Sequence, residues 1–156
     1  MPKKTIILIS ALAVLFASID AIGQASAAAQ FKAQIDKAKS LRDAGSSDEA
    51  RKIYESVLPP LRSQTPSPEL VDTLNNLSNI ATMAGKYSRA VELSRESAAA
   101  CQKMHDKNCE ALAHDDAGLA LSNAGNYPEA AAEFDLGLKL TAETGNAQTA
   151  VLVLNN

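Results

Sequence analysis

Residues 74–98, LNNLSNIATMAGKYSRAVELSRESA, decide the fold. Before Ala84-Gly85, the residues Leu74, Leu77, Ile80 and Ala81 recur at intervals of three and four, which makes one face of a helix. After it, Tyr87, Ala90, Val91, Ser94 and Ala98 do the same. Gly85 stands where two antiparallel helices would turn, because glycine enters the left-handed backbone region without steric cost. The Ala-Gly pair recurs 40 residues earlier at Ala44-Gly45 and 40 residues later at Ala124-Gly125. Ala50, Ala90 and Ala130 match at the same spacing, as do Tyr87 and Tyr127. Tyr54 and Phe134 share an aromatic position that Ser94 fills less well, and Leu41 and Leu121 share one with Ala81. The alanines suit the points where paired helices cross most closely.

Outward from that stretch, the pattern predicts six helices. The first runs from near Ala28 to about Asp43 and buries Phe31, Ile35, Ala38 and Leu41. Ser46 and Glu49 form a capping-box pattern for the second, whose apolar face is Ala50, Ile53, Tyr54 and Val57. Pro59-Pro60 is expected to stop it, since proline lacks the amide donor. In the proline-rich stretch 59–68, Ser67-Pro68 is placed to cap and open the third helix, which adds Leu70 and Val71 to its buried face. The fourth helix reaches Cys101 or Met104, and residues 105–108 form a polar connection. The fifth runs from about Cys109 to Asn123. The sixth has Pro128 near its start, Ala130, Ala131, Phe134 and Leu138 inward, and its end near Gly145.

The repeated pair resembles the tetratricopeptide repeat. That family carries Leu and a small residue within its first helix, Gly at the turn, an aromatic two residues on, then Ala and an aromatic in its second helix. Leu74, Leu77, Ser78 and Ala81 take the first-helix positions in the middle unit, and His114, Ala117, Gly118 and Leu121 take them in the third. The family's first Trp is missing throughout. The period of 40 exceeds the usual one of about 34. The long period, with Leu74-Asn75-Asn76-Leu77 and Gly85-Lys86-Tyr87, is similar to the kinesin light-chain type of repeat. The resemblance covers residues 31–156 and implies an all-α, right-handed superhelical array of antiparallel helix pairs. About three repeats are expected (31–66, 67–106 and 109–146), with a partial fourth at 147–156 where Leu154-Asn155-Asn156 matches Leu74-Asn75-Asn76.

Composition bounds the rest. The 156 residues suffice for one domain, expected over residues 28–156. Aromatics are 4% with no Trp, so the core must be built from Ala, Leu, Ile and Val. A net charge of −3 gives no basic excess for nucleic acid. Lys3 and Lys4, an apolar run from Thr5 to Ile19 and the small residues Ala25-Ser26-Ala27-Ala28-Ala29 follow the order of a secretory signal peptide. Residues 1–27 are expected to be removed after Ala27 or Ala29, since the run is short for a membrane span. The mature chain then carries 13 basic and 17 acidic residues, net −4. A bacterial periplasm or the cell exterior is the expected location, and an uncleaved N-terminal anchor is the alternative.

No catalytic, cofactor or metal constellation is legible. No Gly-rich phosphate loop or Ser/His/Asp order occurs. Cys109, His114, Asp115 and Asp116 crowd together without a helical metal-ligand signature, so His114 is expected to be packed against a neighbouring helix. Asp115 and Asp116 diverge by about 100° on a helix and are expected at a solvated edge. Cys101 and Cys109 flank the connection between units two and three. They could form a disulfide in an exported protein or remain two thiols; geometry decides between them.

Recognition is the function that remains. In the tetratricopeptide family the first helix of each unit lines a concave face that holds extended peptides or partner helices. By position, the resemblance implies a lining of Lys32, Ile35, Lys39, Arg42 and Asp43 from unit one. Unit two would give Asp72, Asn75, Asn76, Asn79, Thr82 and Met83. Unit three would give Leu112, Asp115, Asp116, Leu119, Ser122 and Asn123. Asparagines suit a peptide backbone because they donate and accept without charge. Leu112 and Asp116 stand where some relatives carry the Lys and Arg of a carboxylate clamp, which disfavours that mode. The leading expectation is an exported, non-enzymatic scaffold for a protein or peptide, with no cofactor, no nucleic acid and no membrane contact beyond the leader. Two alternatives stay open. One is a recruitment arm of a larger enzyme whose catalytic part lies beyond residue 156. The other is self-association through the apolar, uncapped run Val151-Leu152-Val153-Leu154.

Overall fold

The computed structural model describes residues 28–146 and Thr149. Helix α1 covers residues 28–43. It is followed by α2 (Ser47–Arg62), α3 (Pro68–Met83), α4 (Tyr87–Lys103), α5 (Lys107–Asn123) and α6 (Tyr127–Thr144). The described residues contain no strand. The helices make three hairpins, α1–α2, α3–α4 and α5–α6, which are units one to three of the 40-residue repeat. The expected leader, residues 1–27, and the partial fourth unit, residues 147–156 apart from Thr149, lie outside the described residues.

One backbone device makes the turns. After α3, Gly85 has φ 71°, its N–H donates to the Thr82 carbonyl (3.0 Å) and the Lys86 N–H donates to the Ala81 carbonyl (2.8 Å). The same bonds recur after α1 and α5. Between α4 and α5 they recur again with His105 in the glycine place, at φ 58°. The polar connection expected over 105–108 is therefore shorter. Asp106 caps α5 by accepting from the Cys109 N–H (3.0 Å), and the helix starts at Lys107 rather than Cys109.

Two further expectations are corrected. Pro59 and Pro60 do not stop α2, which runs on to Arg62. Leu58 and Leu61 lie on this last stretch and are 4% and 2% exposed. Burying a leucine contributes about 1.5–3 kcal/mol, so two of them offset much of the roughly 3 kcal/mol that each interior proline costs. Ser46 stands at the N-cap of α2, but its side chain makes no capping bond. Ser67 does cap α3, accepting from the Leu70 N–H at 3.4 Å, with Pro68 as the first helical residue.

Each hairpin closes on one pair of positions, and the pair changes by complementary size. In unit three the Phe134 ring lies on Gly118, where an added Cβ would meet it at 2.6 Å. Unit one has Ala38 and Tyr54 at the equivalent positions, both fully buried. Unit two has two small polar residues instead, and Ser78 and Ser94 are joined hydroxyl to hydroxyl at 2.7 Å. Ser78 also donates to the Ala90 carbonyl (3.0 Å), so no buried hydroxyl is stranded at that crossing.

The hairpins stack with α3 touching α5 directly, whereas the α2 and α4 backbones stay apart, as do those of α4 and α6. The array therefore curves toward the layer formed by α1, α3 and α5, which is its concave side. The core under it divides in two. Units one and two share Leu, Ile, Val and Tyr side chains, and the junction with unit three is largely Ala81, Ala90, Ala120 and Ala130 with Leu121 and Val91. On α6, Ala131 is exposed, not inward, and the buried stripe is Ala130, Glu133, Gly137 and Thr141.

Candidate functional site

The concave layer sorts the expected lining residues into three groups. Lys39, Arg42, Asp72 and Asn76 come together at the junction of units one and two. Lys39 Nζ donates to Asp72 Oδ2 at 2.7 Å. Arg42 donates to Asn76 Oδ1 and, at 2.8 Å, to Asp43 Oδ1. Asn76 is buried and its Nδ2 donates to the Asp72 carbonyl at 2.7 Å. These four side chains tie α1 to α3, and their polar groups face one another.

Asn75 and Asn79 form the second group, one helical turn apart on α3. Asn79 is exposed, while Asn75 is partly buried, and its Oδ1 has no hydrogen-bond partner among the described residues. A buried carbonyl oxygen without a donor costs about 1–3 kcal/mol, so Asn75 is an acceptor that folding leaves unused. Met83, at the end of α3, is 79% exposed.

The third group lies on α5. Asp115 is 5% exposed and Asp116 is partly buried, so this pair is not the solvated edge expected from the sequence. Burial, with the neighbouring Asp115 charge second, pushes the Asp116 carboxyl up to about 7. Ser122 is half-buried, and exposed Asn123 donates to the Leu119 carbonyl of its own helix at 3.0 Å. Lys32 is exposed beside Asp36, at 3.7 Å. Ile35 leaves the expected lining altogether: it is 2% exposed in the core, because the face it shares with Ala38 turns inward.

The sequence reading missed Glu133. Its carboxylate is 7% exposed, with Oε1 2.6 Å from Arg95 and Oε2 2.7 Å from His114 Nδ1. Arg95 also holds Glu129 at 2.7 Å. His114 is packed against α6 as expected, and Glu133 is the group it meets. The available signal was the stripe Ala130, Glu133, Gly137, Thr141, whose spacing places a carboxylate inward.

Cys101 and Cys109 are disulfide-bonded with their Cα atoms 5.6 Å apart, which fastens the end of α4 to the start of α5. Among the described residues, no group of three or more His, Cys, Asp and Glu side chains is placed to hold a metal ion. No described helix is long and apolar enough to cross a membrane.

Residues 70–108 match the family model of the tetratricopeptide repeat. The match and the all-helical array of hairpins support a tetratricopeptide-type repeat. The match covers α3, α4 and the start of α5. Repeats of this family serve as scaffolds for protein–protein interaction, so the partners it implies are proteins. No curated protein matches the chain.

Proposed function

We propose that this chain is an exported, non-enzymatic scaffold whose concave layer holds an extended segment of a protein partner. The observation that carries the reading is the Asn75–Asn79 pair. Asn75 has an acceptor that the fold does not satisfy, and Asn79 is an exposed amide one turn further on. A peptide backbone laid across α3 would pair with the exposed Asn79 amide, and would supply the N–H that Asn75 Oδ1 lacks once that side chain turns outward. On the unit-one side the polar groups of Lys39, Arg42, Asp72 and Asn76 are already committed to each other, which leaves Asn75 and Asn79 as the asparagines of α3 open to a partner.

Export rests on the leader pattern of residues 1–27. The bonded Cys101–Cys109 pair supports it, since disulfides persist in oxidising compartments. The test is quantitative capture from an envelope fraction, with wild type compared against Asn75→Ala/Asn79→Ala. The variant should lose at least one partner by about tenfold, the scale of roughly 1.4 kcal/mol. Identical capture by both proteins would remove the reading.

A further inference from the structure

A cleft of about 650 Å³ opens between α2 and α4. Leu77, Ile80 and Ala81 of α3 lie in its floor. At roughly 100° per residue, Leu77 and Ala81 lie on the opposite side of α3 from Asn75 and Asn79. The cleft is therefore separate from the concave face.

Its origin is in side-chain size. Leu58, Leu77, Ile80 and Leu93 line the cleft, and Ala98, Ala117, Ala120 and Glu133 occupy the equivalent positions 40 residues on. Large side chains hold neighbouring helices further apart than alanines do. At the second junction Arg95 also crosses from α4 to Glu129 and Glu133 of α6, and divides the space into pockets of about 270 and 350 Å³.

The walls carry an uneven charge. Arg51, Arg62, Lys86 and Arg89 face the cleft against Asp48 and Glu55, an excess of cations on a chain whose net charge is −3. Arg62 closes one end by binding Glu96 across the gap (2.6 Å from its Nε). Beyond that bridge, among the described residues, no acid pairs from one wall to the other. Arg51 pairs with Asp48 and Glu55 of its own helix, and Arg89 with Glu92 of its own. Lys86 makes no ion pair among the described residues. Such exposed pairs within one helix contribute little and exchange readily for a better-placed carboxylate.

We propose that this cleft is a second docking site, which takes an acidic segment of a partner protein. An apolar side chain enters over Leu77 and Ile80, and carboxylates sit between Arg51 on one wall and Lys86 and Arg89 on the other. The positive charges of Arg51, Lys86 and Arg89 give the site its sign preference, and each can donate to a carboxylate. Exposed Met83 lies at the rim and adds an adaptable apolar contact. The volume suits a short segment and not a whole domain. This site goes beyond the concave reading, and neither depends on the other.

The test uses the full mature chain and a fluorescein-labelled synthetic peptide of glutamates and leucines, followed by fluorescence anisotropy. The expected result is saturable binding that Arg51→Ser/Arg89→Ser weakens by about tenfold. Lys37→Ser/Lys103→Ser removes the same charge away from the cleft, and should change the affinity by less than about twofold. Arg51→Lys/Arg89→Lys keeps the charge and should retain most of the binding, which guards against a folding defect in the serine variant. Asn75→Ala/Asn79→Ala should leave the peptide bound, so failure here and failure of the concave reading are separable. Equal weakening by both serine variants would mean general attraction to a cationic surface and would overturn the proposal. So would binding of a lysine-for-glutamate peptide with the same affinity, or no saturable binding at all.

Discussion

Between units one and two, residues 63–67 connect the hairpins, α2 and α4 flank an open cleft, and one exposed pair, Arg62–Glu96, spans it. Between units two and three, residues 104–106 suffice, a disulfide fastens the turn, and Arg95 and His114 converge on a buried carboxylate. The two junctions share one backbone plan and one 40-residue register. They differ in what fills the register: leucine and isoleucine at the first, alanine and glutamate at the second. The difference teaches that repeat spacing sets which helices are neighbours. Side-chain volume then sets how closely they approach, and so which surfaces stay available to a partner. The second junction is bridged by Arg95 and His114 meeting Glu133, and the first leaves a cleft whose charged walls pair mostly within their own helices.

The sharpest way to break this comparison is to remove the acid from each junction in turn. Glu133→Ala leaves Arg95 and His114 facing a buried gap and should cost about 2–4 kcal/mol, somewhat below a fully buried pair because Arg95 can turn to water. Glu96→Ala should cost no more than about 1 kcal/mol, since both members of its pair are substantially exposed. Urea unfolding measures both, and equal losses would show that the junctions are alike. Removing the second junction's staple comes next. Cys101→Ser/Cys109→Ser should lower stability by about 2–3 kcal/mol in the chain-entropy picture. Amide hydrogen exchange should place the loss in α5 and α6 rather than α2.

The concave face differs between junctions too. Asp72 meets Lys39 at the first, whereas Asp116 at the second is crowded by Asp115. Asp116 binds its proton more tightly folded, with a pKa of about 7, than unfolded, where an aspartate has 3.8. The folded state therefore holds more protons between those values, and stability should fall as pH rises from 4 toward 7. Asp116→Asn should flatten that slope and stabilise by roughly 1–3 kcal/mol at alkaline pH, read from thermal melts across the range. The smallest effect belongs to the turn of the second junction. His105→Gly should stabilise by about 0.5–1 kcal/mol, because φ 58° suits glycine better than histidine.

The architecture was legible because it rests on periodicities that packing enforces. Ala44-Gly45, Ala84-Gly85 and Ala124-Gly125 mark turns that almost no other residues make cheaply, and the stripe from Leu70 to Ala81 is buried as its spacing requires. The errors arose where tertiary burial overrode a local rule. Leu58 and Leu61 carry α2 through two prolines, and His105 takes a backbone angle that sequence patterns reserve for glycine. The candidate site was legible only by position. That Asn76 is committed to Arg42 and Asp72, while the Asn75 acceptor is not, depends on where α1 lies against α3. Glu133 stayed hidden because its partners come from helices 19 and 38 residues away.

Site-directed photo-crosslinking tests recognition on the concave face most directly. A photo-reactive residue is placed at Asn79 in one protein and at Ala131, exposed on the outer helix α6, in another. Both are irradiated in the same envelope fraction. The account predicts a discrete covalent adduct from position 79 and none from position 131. Adducts of equal yield from both positions, or from position 131 alone, would contradict it.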